Sequence, residues 1–286
     1  MEIAIISGKG GTGKSSITAA FASIANNVVL ADCDVDAANM HIIMNPTVEE
    51  QSVYIAGEKA VIDYSKCNSC RICTEYCRFE AMTISENKVS IDSVNCDGCR
   101  LCERVCPVSA ISMEKRDKSR MYSGSFRFGK MVFGILYPGE ENSGKLVAIV
   151  RRKAKEIATL HKIDHILIDS PPGIGCSLIS SITGVDKVVI VTEPSMSAFS
   201  DLIRTVELVS KFNTELSIVI NKSDLCQQIT DEIITYCYQN KFKLAGTIKF
   251  DPEIVYAMVN CMTINEWKPD SETSNTLKQI YNSIIN

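Results

Sequence analysis

Two tandem cysteine runs set the tightest limit on what this chain can fold into: Cys67-x2-Cys70-x2-Cys73-x3-Cys77 and Cys96-x2-Cys99-x2-Cys102-x3-Cys106-Pro107. This spacing holds a pair of 4Fe–4S clusters, the fourth cysteine of each run ligating the other cluster. Three thiolates on a tight loop wrap one cube, and the fourth points away to the second. On that rule Cys67, Cys70, Cys73 and Cys106 form one ligand set, and Cys77, Cys96, Cys99 and Cys102 form the other. A single run is compatible with zinc or coincidence; two in tandem leave little room for either. The halves also repeat beyond the cysteines: Cys77 to Ile84 matches Cys106 to Met113, each ending in a short apolar strand.

The runs sit inside a second pattern. Gly8-Lys9-Gly10-Gly11-Thr12-Gly13-Lys14-Ser15 is a phosphate-binding loop, with an apolar strand before it and a helical period after it. The glycines let backbone N–H groups turn toward phosphate oxygens. Lys14 is expected at the β- and γ-phosphates, the Ser15 hydroxyl at Mg²⁺, and Ser16 follows in the same loop-to-helix turn. The helix N-terminus adds its partial positive charge. Ile166 to Asp169 is an apolar strand ending in a carboxylate, which predicts Asp169 near Mg²⁺. Asp32-Cys33-Asp34 ends another strand, where open α/β sheets place their chemistry. Asp36 reads as a turn or surface residue. Asn221-Lys222-Ser223-Asp224 has the form of a base-recognition loop, whose Asp can pair with guanine.

Around these motifs the chain alternates apolar strands with helical periods. Strands are expected at 1–7, 28–31, 163–169, 187–192, 216–221 and 244–248, with helices at 14–26, 143–161, 197–212, 226–240 and 273–285. From 54 to 115 long helical periods vanish. The expected organisation is therefore one nucleotide-binding domain in two parts, 1–53 and 116–286, interrupted by a cysteine-rich insert at 54–115. Lys115 to Lys130 carries six basic residues and one acidic one. It reads as a solvated connector, with a docking strip for an acidic partner as the alternative.

The 286 residues allow one large or two ordinary domains, and a formal charge of −4 argues against a nucleic-acid binder. No apolar run approaches the ~18 residues a membrane span needs. The start is too short an apolar stretch for a signal peptide. Thirteen cysteines in a chain without an export signal then read as thiols or metal ligands in the cytoplasm.

With Lys9 inside the loop, the chain resembles the deviant phosphate-loop ATPases of the MinD/ParA family, which also contains the nitrogenase iron protein. It looks like the members of that family that carry an inserted two-cluster ferredoxin domain. The likeness extends to Gly139 to Val147, Pro172 to Cys176, Thr192-Glu193-Pro194 and Phe250-Asp251-Pro252. Ser143 is a plausible helix cap by composition. The resemblance implies a doubly wound, mostly parallel α/β sheet with an α+β bacterial-type ferredoxin insert. It implies ATP and Mg²⁺, with Asn221 facing adenine, Asp34 orienting the attacking water and Asp32 supporting the metal. It implies a homodimer, or a heterodimer with a related ATPase, in which Lys9 crosses to the partner's nucleotide.

Two departures stand out. Arg78 replaces the proline that usually follows the fourth cysteine, a cation beside Cys77 that favours a higher potential for the cluster Cys77 binds. Cys176 stands where the iron protein has a bridging ligand, but its companion is missing between Cys106 and Asp169. It reads as a small buried thiol in the switch turn, and Cys33, Cys226, Cys237 and Cys261 read as packing. The C-terminal segment holds one cation, Lys278, so a core helix is expected and not a stable membrane anchor.

Function on this reading is an ATP-driven dimer switch coupled to electron transfer through two clusters to a partner protein. Eight fixed thiolates favour transfer over cluster assembly or delivery. The absence of a basic anchor counts against a positioning switch with sensor clusters.

Overall fold

The structure, a computed structural model, describes residues 1–140 and 143–286. The chain forms two compact units. One comprises Met1–Gln51, Met121–Gly134 and Ser143–Asn286, the other Ser52–Arg120 and Ile135–Asn142.

The larger unit opens with β1 (Glu2–Ile6), α1 (Lys14–Ala25), β2 (Val28–Asp32), α2 (Met40–Met44) and β3 (Thr47–Tyr54). The smaller unit carries β4 (Gly57–Ile62), α3 (Ile72–Tyr76), β5 (Met82–Ser85), β6 (Lys88–Ile91), α4 (Leu101–Val105) and β7 (Ile111–Arg116). The sheet then resumes with β8 (Ser119–Phe126) and β9 (Gly129–Ile135), followed by α5 (Ser143–His161), β10 (His165–Asp169) and α6 (Cys176–Ile182). Last come β11 (Lys187–Thr192), α7 (Met196–Val209), β12 (Glu215–Asn221), α8 (Gln227–Gln239), β13 (Lys243–Ile248), α9 (Pro252–Val259), α10 (Ile264–Trp267) and α11 (Glu272–Ile285).

The nine-stranded sheet runs β13-β12-β11-β1-β10-β2-β9-β8-β3, parallel from β13 through β9. Every residue of β1 and β2 is buried, as strands covered by helices on both faces must be. On one face α1 buries Ile17, Ala20 and Phe21, and α11 covers them with Leu277, Ile280, Tyr281 and Ile284. The Phe21 and Tyr281 rings lie 5.4 Å apart. The C-terminal segment is thus a core helix, as its apolar spacing predicts. Among the described residues no helix is long and apolar enough to cross a membrane.

The basic stretch is not a solvated connector. It is the end of β7, all of β8 and the start of β9. Three of its cations are spent internally: Arg127 on Glu266 at 2.5 Å, Lys130 on Glu49 at 3.1 Å, and Arg116 on backbone carbonyls. The stretch Gly139 to Val147 includes Glu141 and Asn142, outside the described residues; Ser143 is the first residue of α5.

The smaller unit is an internal repeat with an offset of 29 residues, from Cys67 to Cys96. β4 pairs antiparallel with β7, and β5 with β6. The Asp63 N–H donates to Ala110 O and the Asp92 N–H to Ala81 O, both at 2.7 Å. Cys67 and Cys96 donate back to Asp63 O and Asp92 O at 3.0 and 3.1 Å.

Candidate functional site

Parallel pairing decides where the polar residues gather. The register aligns Ile5 with Asp169 and Asp169 with Asp32, so the two carboxylates end adjacent strands beside the loop that follows β1. Both are buried, at 1% and 0% exposure. The loop itself, 7–13, then turns into α1.

Lys14 fills the gap between loop and strand. Its Nζ lies 2.8 Å from Asp169 Oδ1, with an exposure of 6%. Ser15 Oγ donates to Asp169 Oδ2 at 2.7 Å, and Thr18 Oγ1 to Asp169 Oδ1 at 3.1 Å. Asp32 accepts the N–H groups of Asp34 and Met40 at 3.1 and 3.2 Å. Burial, with the Asp169 carboxylate beside it, still pushes Asp32 up to about 8. Asp34 is less buried, and desolvation also raises it. Two carboxyls held away from water gain from a nearby cation, and Lys14 is the cation that offsets both in this structure. Among the described residues the hydroxyls of Thr12 and Ser170 are buried with no hydrogen-bond partner. Orphaned donors beside a phosphate loop fit a ligand with oxygen acceptors.

Gly13 carries φ +90°, and a Cβ there would overlap Asn221 Nδ2, so glycine is required twice over. Asn221 donates from Nδ2 to Thr12 O at 2.8 Å and accepts the Lys222 N–H at 3.0 Å. The structure thus places Asn221 as a brace under the phosphate loop. Asp224 accepts the Phe250 N–H at 2.6 Å, which ties this loop to the next one. Ser16 Oγ points to α9, donating to Met258 Sδ at 2.8 Å. Asp36 is exposed, as expected.

Glu193 is the residue the sequence reading left without a role. Its carboxylate bridges two loop lysines, Lys9 at 2.8 Å and Lys222 at 2.8 Å. Lys9 also donates to Ser195 Oγ and Ser197 Oγ at 3.1 Å, and Lys222 to Gly11 O at 2.9 Å. Burial works against the Glu193 charge, but the hydrogen bonds from Lys222 and Lys9 hold its carboxyl below the usual range. An acid closing an apolar strand was the available signal, in Thr192-Glu193-Pro194. Cys176 is exposed at the start of α6, not the buried thiol expected. Cys33 and Cys237 are buried in packing, whereas Cys226 is half-buried and Cys261 exposed.

In the smaller unit, Cys67, Cys70, Cys73 and Cys106 line one cavity, with Ile62, Val89 and Ile111. Cys77, Cys96, Cys99 and Cys102 line a second, with Ala60, Ala81 and Met82. The cavities match in size, at about 340 Å³ each counting the part open to solvent. No described cysteine is in a disulfide. Backbone N–H groups reach one sulfur in each set, Ala110 to Cys106 Sγ at 3.2 Å and Ala60 to Cys96 Sγ at 3.5 Å. Burial raises the Cys73 thiol and pushes Cys102 up to about 11. Among the described residues no three His, Cys, Asp or Glu side chains converge tightly enough to hold a single metal ion.

The loops behind those cysteines repeat in backbone as well. Arg71 and Arg100 take φ +67° and +63°, and Ser69 and Gly98 take +57° and +71°. At Gly98 a Cβ would run into Glu58 O, so only the second half requires glycine there.

The parallel sheet and the loop joining β1 to α1 define a phosphate-loop nucleotide-binding protein. More narrowly, residues 3–264 match the CobQ/CobB/MinD/ParA nucleotide-binding domain, and the chain belongs to that family. It is similar to two uncharacterized proteins of Methanocaldococcus jannaschii. One is 34% identical across 99% of this chain and 96% of that protein; the other is 28% identical across 78% and 80%. Its fold resembles the cell division ATPase MinD of Pyrococcus furiosus, with a TM-score of 0.59 at 16% identity, covering 100% of this chain and 98% of that one. It also resembles the septum site-determining protein MinD of Pyrococcus horikoshii, solved with Mg-ADP, at 0.57 and 16%, covering 98% and 93%.

Proposed function

We propose that this chain is an iron–sulfur ATPase in which an ATP-driven dimer switch governs electron transfer to a partner protein. The observation that carries the reading is the pair of equal cavities, each lined by one complete set of four cysteines. Those sets are the two that the tandem spacing assigns to two 4Fe–4S clusters. When bound, such clusters supply one-electron storage. The chain's own part is to fix eight sulfurs on short loops, shield them with Ile62, Met82 and Ile111, and aim N–H groups at Cys96 and Cys106.

At the phosphate loop, Mg-ATP exchanges one set of contacts for another. With nucleotide bound, Lys14 would face the β- and γ-phosphates, and Ser15, Asp169 and Asp32 would be the residues to hold Mg²⁺, which would offset phosphate charge. Asp34 orients water for attack on the γ-phosphorus, giving ADP and phosphate. Lys9 must leave Glu193 before it can reach a partner's nucleotide. ATP over GTP is supported by Asp224, which already holds the Phe250 N–H.

Anaerobically purified protein is expected to contain about eight iron and eight sulfide per chain. Its reduced clusters should be reoxidised by the partner only while ATP turns over. Zinc in place of iron, or reoxidation indifferent to ATP, overturns the reading. Cluster delivery is favoured by one observation, the exposure of Cys70 and Cys99, one thiol in each set. Transfer of intact clusters to an apo-acceptor protein would establish that role instead.

A further inference from the structure

The repeat in the cysteine-rich unit is close enough that its exceptions can be read one by one. Shifting by the 29-residue offset pairs Lys66 with Asn95, Glu75 with Arg104, Glu80 with Ser109 and Glu86 with Lys115, all exposed, and Thr74 with Glu103, which pairs with Arg100. It also pairs Asn68 with Asp97, Arg78 with Pro107, and Asn87 with Arg116. Asp97 and Arg78 are exposed, where water and salt screen them. Asn87 is an exposed hairpin residue that accepts a hydrogen bond from Arg71. Arg116, its counterpart, is only 7% exposed.

Among the described residues Arg116 is held by backbone carbonyls and not by an ion pair. Its guanidinium donates to Cys96 O, to Gly139 O and, from Nε, to Glu58 O at 3.1 Å. No carboxylate among the described residues pairs with it. Glu140, in the same cleft, is held by the N–H groups of Lys118 and Ser119 at 3.1 and 3.0 Å. Glu58 spends its carboxylate on the exposed Arg100. A buried, unpaired cation therefore rests on the backbone of a ligand belonging to the second set alone. The N–H···S contacts do not restore symmetry. The shorter one serves the first set, but it is a dipole set against a full charge in a weakly screened place.

We infer that Arg116 makes the two cluster sites electrically unequal and gives the set Cys77, Cys96, Cys99 and Cys102 the higher reduction potential, so that the first electron added rests there. This rests on the proposed cluster binding. Each reduction moves one electron from a one-electron donor, which is oxidised, onto one cluster, with no bond made or broken. Positive charge nearby lowers the energy of the added electron, and net charge and solvent exposure are levers that set such potentials.

The experiment is a stepwise redox titration of the full chain followed by electron paramagnetic resonance, beside an iron count. The parent protein should show two separate one-electron midpoints. Arg116→Gln should move the more positive midpoint toward the other and leave the other in place. Arg116→Lys should keep most of the separation, and Arg78→Gln should change little. Unchanged midpoints in Arg116→Gln at full iron content would overturn the inference. Should that variant lose its iron, the parent decides the matter through ligand substitutions. The first signal to appear should be the one whose shape Cys99→Ser alters; if Cys70→Ser alters it instead, the assignment is wrong. An iron count far below about eight in the parent would overturn the cluster reading itself, a different failure.

Discussion

The nucleotide-binding unit and the cysteine-rich unit are stabilised in different ways. The first buries β1, β2, α1 and α11 around Ile3, Phe21, Leu30, Leu167 and Ile280, an apolar core of ordinary depth. The core cluster of the second is Ala60, Ala81, Cys96 and Ile111, with Val89 and Ala110 also buried, and much of what packs against the cluster is sulfur: Cys73, Cys77, Cys102 and Cys106. A unit of that size with so small a core needs a staple. In the first unit the fold precedes the ligand; in the second, on the proposed function, the ligand completes the fold.

The largest expected effect follows from this contrast. Iron chelation under reducing conditions should unfold the cysteine-rich unit while the other persists. Limited proteolysis should cut within 52–120, and nucleotide affinity should stay near its parent value. Equal protection of both units before and after chelation would break the comparison. Next in size is Asp34→Ala, which tests whether chemistry and fold separate in the first unit. Turnover should fall by about 10² to 10⁴-fold, the usual worth of a positioned acid–base group. Nucleotide binding and the melting temperature should hold.

A smaller effect concerns protons. Asp32 sits well above its ordinary carboxyl range in the fold, at about 8, so it holds a proton at neutral pH. A raised value favours the folded state at low pH, and that contribution is lost as pH rises from about 4 through 8. Mg²⁺ favours the carboxylate, so binding Mg-nucleotide near pH 6.5 should release up to about one proton. Calorimetry in buffers of different ionisation enthalpy measures the release. A binding heat that does not vary with the buffer would place Asp32 outside the metal's influence. The smallest effect sharpens the comparison within the repeat. Ser69 takes φ +57° where its counterpart is Gly98. Ser69→Gly should therefore stabilise the cysteine-rich unit by about 1 kcal/mol, read as slower loss of iron to a chelator. A faster loss would show that the Ser69 side chain makes a contact that outweighs the strain.

What the sequence revealed was local. The loop from Gly8 to Ser15, the carboxylates ending Val28–Asp32 and His165–Asp169, and the cysteine spacing are each contained in a few residues, and the buried strands announce themselves as apolar runs. What stayed hidden depends on partners far along the chain. Ser119–Phe126 alternates buried and half-buried positions, but its Arg, Tyr and Ser residues mask the strand pattern. The cations at Arg116, Arg127 and Lys130 looked solvated because Cys96, Glu266 and Glu49 could not be placed beside them. The contacts of Glu193 and Asn221 with the phosphate loop were hidden likewise: each reaches it from more than a hundred residues away.

The order of the sheet also fixes an order of events at the ribosome. β1 has as neighbours β10 and β11, so Glu2 meets Ile166 and Ile3 meets Lys187. At roughly 5–20 residues per second, the first strand waits on the order of ten to forty seconds for both. By then all of Ser52–Arg120 has been made. On the proposed function, any cluster loaded onto the eight tandem cysteines before that point would enter a chain whose phosphate loop has no finished sheet to stand on.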